Sequence, residues 1–279
     1  MTTPTLDETK AQIGDGVELE VAQSGEGEPL VLVCGTSQDY RLWAPLLPAL
    51  AAEYRVIAYN HRGIGASTRG TGQISMTSLA EDLNSLLTEL GVERAHVLGW
   101  SLGSTVAQEF ALAHADRVAS LVLAATWGRT DAFQTAVFTG LAHPWRTGDR
   151  DAGLGALGIA YSPELLNSEA FLQLMSQVEP LFASTESQIA TVAEQWDADL
   201  AHDTLDRLGS ITAPTLVIAG EQDLLTPPGQ GRAVADAIPG ARYELFTGPG
   251  SSHAALLERT DEFTALVLEY LTEQSLTRS

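Results

Sequence analysis

Cysteine is almost missing from this chain: Cys34 is the one such residue in 279, so no intrachain disulfide framework can staple the fold. No cluster of His, Cys and Asp has the spacing of a zinc site. Lysine is as scarce, since Lys10 stands alone and every other cation is an arginine. Basic residues as a class number 15 against 36 acidic ones, for a formal net charge of -21. Such a surface repels phosphate backbones and anionic lipid, which argues against nucleic-acid and membrane partners and otherwise serves solubility. No apolar run is long enough to span a bilayer. Met1 to Lys10 lacks the apolar stretch of a secretory signal, so a cytoplasmic location is expected. Internal repeats and low-complexity linkers are also missing. What the chain does have is apolar residues, 44% of the total, enough for one sizeable core and an insertion.

Those residues are arranged as short β-type runs alternating with amphipathic segments. The runs are Pro29 to Cys34, Tyr54 to Tyr59, Ala95 to Trp100, Val118 to Ala125, Pro214 to Ala219 and Ala241 to Phe246. Continuous apolar runs of this length suit strands buried on both faces. Leu79, Leu83, Leu86, Leu87 and Leu90 recur at helical spacing before Gly91, and Leu102 to Ala113 and Phe263 to Leu271 behave alike. Gly16 to Ser24 alternates and reads as an antiparallel lead-in hairpin. This order predicts an α/β fold with a mostly parallel central sheet flanked by helices. The alternation stops after Ala125 and resumes at Ile211. Residues 127–208 are therefore expected to form an inserted helical cap, and residues 1–126 and 209–279 the core domain.

Gly99-Trp100-Ser101-Leu102-Gly103 fits G-x-S-x-G, preceded by a strand pattern and followed by a helical one. The glycines suit a sharp turn where a Cβ would clash, with the serine strained so that its hydroxyl stands clear of the sheet. A serine hydroxyl needs a base, and the base needs an acid to orient it. His253 lies just past the last strand pattern and is the base candidate. His61, His96, His114, His143 and His202 are read as structural, with a substrate contact open for the two in the insertion. Asp223, at a strand end before a Thr-Pro turn, is the acid candidate, with Asp131 and Glu221 as rivals. The order Ser, Asp, His is the one this motif uses. An oxyanion hole needs two backbone donors, expected from Leu102 and Thr36.

These segments together resemble an α/β-hydrolase fold over nearly the whole chain: VLVCGTSQDYRLW, YNHRGIGAST, the LGWSLGSTVAQEF elbow, PTLVIAGEQDLLTP and GSSHAALLE. Within that superfamily the chain is similar to serine esterases and lactonases, including polyketide methylesterases and enol-lactonases. Two departures stand out. Cys34-Gly35 occupies the place of the usual His-Gly, and Asn60 replaces the acid of Asp-x-Arg-Gly-x-Gly. Dehalogenases and epoxide hydrolases of this fold use Asp as nucleophile, and Ser101 argues against both.

Gly153 to Gly158 fits G-x-G-x-x-G, but no strand pattern precedes it, so no dinucleotide site is expected; neither a metal nor any other cofactor is called for. Trp100, Trp127, Phe133, Phe138 and Trp145 are the candidate pocket aromatics, with Tyr161, Phe171, Phe182 and Trp196 also in the insertion. No cluster of basic residues is placed to grip a phosphate. The expected reaction is hydrolysis of an ester, lactone or related carbonyl bond of an uncharged, medium-sized hydrophobic molecule through an acyl-enzyme on Ser101. Acyltransfer, C–C hydrolysis, cofactor-free perhydrolysis, a lyase or cyclase reaction, and non-catalytic ligand binding stay open at this level.

Overall fold

A computed structural model describes residues 6–14 and 16–275. Among the described residues eight strands form one sheet: β1 (Asp7–Gly14), β2 (Val17–Ser24), β3 (Pro29–Val33), β4 (Arg55–Tyr59), β5 (Ala95–Trp100), β6 (Val118–Ala124), β7 (Thr215–Gly220) and β8 (Arg242–Phe246). Their order is β1-β2-β4-β3-β5-β6-β7-β8. β2 pairs antiparallel with β1 and β4, and every later pairing is parallel. Each of the six apolar runs is a strand, within a residue of its expected limits. The alternating Gly16 to Ser24 segment is one arm of a hairpin.

The continuous apolar runs of β3 to β7 follow from burial on both sides, whereas β8 at the sheet edge is mostly half-buried. Along β3, Val31 and Val33 face one hydrophobic cluster while Leu30 and Leu32 face the other, the two-residue period of a pleated strand. Helices Met76–Glu89, Leu102–Ala113 and Pro228–Ala237 cover the first face, and Thr260–Glu273 covers the second. Helix Met76–Glu89 begins at a reciprocal cap: Ser75 Oγ accepts from the Ser78 N–H, and Ser78 Oγ from the Ser75 N–H. It ends at Gly91, whose φ of 65° is the left-handed stop expected of glycine.

Between β6 and β7 the chain leaves the sheet and forms helices Ala132–Thr147, Arg150–Ala156, Pro163–Leu166, Glu169–Val178 and Glu186–Ala201. The outgoing and returning strands of chain clasp each other. Arg129 and Asp203 make an isolated antiparallel bridge, Arg129 Nε donates to Asp203 Oδ2 at 2.8 Å, and Thr204 N–H donates to Gly128 O at 2.7 Å. Trp127, Phe138 and Trp196 run as a chain of ring contacts through the insertion, each 5.5 Å from the next. Gly153, from the glycine-rich stretch, is held by packing. A Cβ there would lie 2.7 Å from the Trp145 ring, so this glycine serves a close helix contact.

Candidate active site

Ser101 sits between β5 and helix Leu102–Ala113 with φ 57° and ψ -126°. A non-glycine residue held there stores roughly 1–3 kcal/mol of strain. The flanking glycines allow the turn. A Cβ on Gly99 would lie 2.3 Å from Gly103 O, and one on Gly103 would lie 2.1 Å from Val33 O. The turn is pinned by Ser101 N–H donating to Ala124 O (3.0 Å) and by Ser104 Oγ donating to Ser101 O (2.6 Å). Leu102 opens the helix, so its N–H is among those the helix itself cannot pair.

The loop after β8 brings His253 to the same place. Its Nδ1 lies 2.9 Å from Asp223 Oδ2, with both side chains buried. Asp223 Oδ1 also accepts from the Leu225 and Thr226 N–H groups at 2.8 Å, and Thr226 Oγ1 donates to Oδ2 at 2.6 Å. A carboxylate ringed by donors is held in one orientation. It can only accept, so His253 Nδ1 carries the proton and Nε2 is left as the acceptor. The rival acids are engaged elsewhere. Asp131 caps helix Ala132–Thr147 by accepting from Gln134 N–H, and Glu221 accepts from Gly248 N–H.

Thr36 lies in the loop after β3, beside Ser101 and His253 in the wall of one cavity. Its neighbours' amides are taken: Gly35 N–H donates to Gln38 Oε1 (2.6 Å) and Ser37 N–H to Gln195 Oε1 (2.8 Å). The Thr36 N–H has no acceptor among the described residues. Under this loop, His61 Nε2 donates to Cys34 O at 2.9 Å. Cys34 is buried against the Tyr59 carbonyl, and burial pushes its thiol far up, so it is a small core residue without thiolate character. Asn60 is explained by its neighbours. Its Nδ2 donates to Glu20 Oε2 (2.7 Å) and Asp39 Oδ2 (2.9 Å), while its Oδ1 accepts from Tyr40 N–H (2.7 Å). An aspartate here would put a third carboxylate beside two others.

The cavity over Ser101 is small, about 50 Å³. A second, apolar cavity of about 300 Å³ adjoins it and shares Leu157, Tyr161 and Phe182 as walls. Of the five expected pocket aromatics, Trp100 lines the space over Ser101. The other four are a correction: Trp127, Phe138 and Trp145 are buried in the insertion's own core, and Phe133 is 50% exposed. Aromatic content alone could not separate rings that pack helix on helix from rings that face a cleft. Tyr161, Phe182 and Trp196 supply the insertion's aromatic share of the wall instead.

Three contacts had no signal in the sequence. Trp100 Nε1 donates to His253 O at 3.0 Å, and Gln195 and Asp199 reach the Thr36 loop from the insertion. Each joins residues more than 150 positions apart. Thr226 was within reach, since it follows Asp223 in the strand-end turn.

Residues 28–260 match the alpha/beta hydrolase fold family. The chain belongs to that family. It is 30% identical to an enol-lactonase from Burkholderia xenovorans of known crystal structure, covering 94% of this chain and 99% of that one with a TM-score of 0.85. A proposed carbamate hydrolase, RutD, of Azorhizobium caulinodans is 31% identical, over 93% of this chain and 97% of its own. A thermophilic esterase from Thermogutta terrifontis is 26% identical, with a TM-score of 0.83 over 96% of this chain and 99% of that one. This α/β-hydrolase is thus an enzyme by family, among esterase, lactonase and hydrolase relatives. No helix among the described residues is long and apolar enough to cross a membrane.

Proposed function

We propose that this enzyme hydrolyses an ester or lactone of an uncharged, hydrophobic small molecule through an acyl-enzyme on Ser101. The observation that carries the reading is the His253–Asp223 contact at 2.9 Å beside a strained Ser101 in one cavity wall.

In this mechanism Ser101 Oγ attacks the carbonyl carbon while His253 Nε2 takes the hydroxyl proton. Asp223 holds the imidazole and stabilises its cation. The Leu102 and Thr36 N–H groups receive the negative charge that develops on the carbonyl oxygen. The C–O bond then breaks, and the proton on His253 passes to the departing alkoxide. Water, deprotonated by His253, attacks the acyl-enzyme and releases the acid, which restores Ser101.

The substrate class rests on the walls. Around both cavities the ionisable side chains are His253, Tyr161 and Glu179, and Glu179 is paired with Arg150 at 2.5 Å. Among the described residues no lysine or arginine lines either cavity to hold a phosphate or carboxylate. The small chamber suits the reacting carbonyl and the larger one an apolar chain or ring. In the same reading residues 127–208 act as a cap on a core of residues 1–126 and 209–279.

The test is a panel of p-nitrophenyl esters with short, medium and long acyl chains, together with aliphatic lactones. The expected result is a kcat/KM that rises about threefold to fourfold per added methylene until the apolar cavity is filled, with stoichiometric acid released. Turnover of none of these esters or lactones by the folded protein, or a preference for anionic substrates, would contradict the reading.

A further inference from the structure

The loop that carries Thr36 is held from two sides, and one of them is the insertion. Thr36 Oγ1 donates to Asp199 Oδ2 at 2.6 Å, and Ser37 N–H donates to Gln195 Oε1 at 2.8 Å; both bonds are buried. Gln195 and Asp199 are four residues apart on helix Glu186–Ala201, so they share one face of it. Ser37 has a φ of 65°, a conformation that costs a non-glycine residue energy and persists only where its surroundings impose it. The bond to Gln195 is one such constraint. With the Gly35 and Ser37 amides and the Thr36 hydroxyl all engaged, the amide left over is that of Thr36.

The arrangement is poorly suited to stability for its own sake. Ser37 Oγ, Gln195 Nε2 and Asp199 Oδ1 are buried with no hydrogen-bond partner among the described residues. Buried polar atoms without partners destabilise a fold, so an apolar contact would seat the helix better. Burial also pushes the Asp199 carboxyl up to about 8. Near neutral pH it is largely protonated and meets Thr36 as a neutral group.

We propose that Gln195 and Asp199 are positioning residues for the oxyanion loop, presetting the Thr36 N–H for the charge that develops on the substrate carbonyl. The hole is then complete only while helix Glu186–Ala201 is seated on the core. Trp196 of that helix lines the cavity, so a substrate packed against it would act on the same element that completes the hole. The inference rests on the acyl-enzyme reading above.

The test is steady-state ester hydrolysis by Gln195→Leu, Asp199→Leu and Asp199→Asn, beside thermal unfolding and the affinity of a trifluoromethyl ketone. That ketone forms an oxyanion on addition of the serine. Both leucine variants are expected to lose about 10- to 100-fold in kcat with KM changed less than about threefold. Their affinity for the ketone should weaken in parallel. Asp199→Asn keeps an acceptor for Thr36 and should retain kcat within about threefold. Should a leucine variant fail to fold, Thr36→Val removes the hydroxyl donor while keeping the amide, and the same kcat loss is expected of it. Folded leucine variants, or Thr36→Val in their place, with wild-type kcat and ketone affinity would overturn the proposal, even if their melting temperatures fell. Failure of this inference leaves turnover dependent on Ser101, whereas failure of the acyl-enzyme reading leaves turnover intact in Ser101→Ala.

Discussion

The indole Nε1 of Trp100 donates to the main-chain carbonyl of His253 at 3.0 Å, across 153 residues of chain. Trp100 is the residue before Ser101, so one bond ties the elbow to the loop that carries the histidine. Trp43 packs edge-on against the same indole, with ring centres 6.1 Å apart. Trp100→Phe keeps the ring stacking and deletes the donor. It should cost about 1–2 kcal/mol in urea unfolding, because the His253 carbonyl loses its partner, and lower kcat by roughly tenfold as the imidazole loses its fixed position. An unchanged kcat would mean that the Asp223 contact alone sets the histidine.

A second expectation concerns Asn60. Its amide donates to Glu20 and Asp39, and its carbonyl accepts from Tyr40 N–H. Asn60→Asp replaces the donor by a carboxylate in a buried place already occupied by two. Destabilisation of about 2–4 kcal/mol in urea unfolding is expected. Glu20→Gln in the same chain should recover part of it. A neutral Asn60→Asp would show that the loop relaxes around the new charge.

Asp199 gives a pH signature. Its carboxyl is raised from the ordinary 3.8 to about 8, first by burial, against a smaller opposing effect of the Thr36 hydrogen bond. Below about pH 4 folded and unfolded chains both hold the proton. Between about pH 4 and 8 only the folded chain holds it, so this residue's contribution to stability falls as pH rises, and above about 8 it levels off. Asp199→Asn carries no such proton. Its melting temperature relative to wild type should therefore climb between about pH 5 and 8 and then stay flat. A gap independent of pH would place the carboxyl in a solvated setting.

Much of this was legible in the chain because the relevant forces are local. Strands buried on both faces must be apolar throughout, so β3 to β7 stood out as runs. The Ser101 elbow needs glycines at fixed offsets, and Asp223 and His253 follow strand ends in the order the motif uses. β1 was less distinct, since an edge strand that is largely exposed carries polar residues such as Asp7, Glu8, Thr9 and Lys10. The pocket was the least legible part. Trp127, Phe138 and Trp145 announce burial without naming what they pack against. Leu157, Tyr161 and Phe182, which do form walls, come from short helical turns and connections with little periodicity. Contacts such as Thr36 with Asp199 depend on where the insertion settles on the core, which no neighbouring residue encodes.

The most direct test of the account is turnover of a p-nitrophenyl ester by the wild-type enzyme and Ser101→Ala side by side, both shown to be folded. The account predicts hydrolysis by the wild type and a loss of roughly a thousandfold or more in the variant. Equal turnover by the two proteins would contradict it.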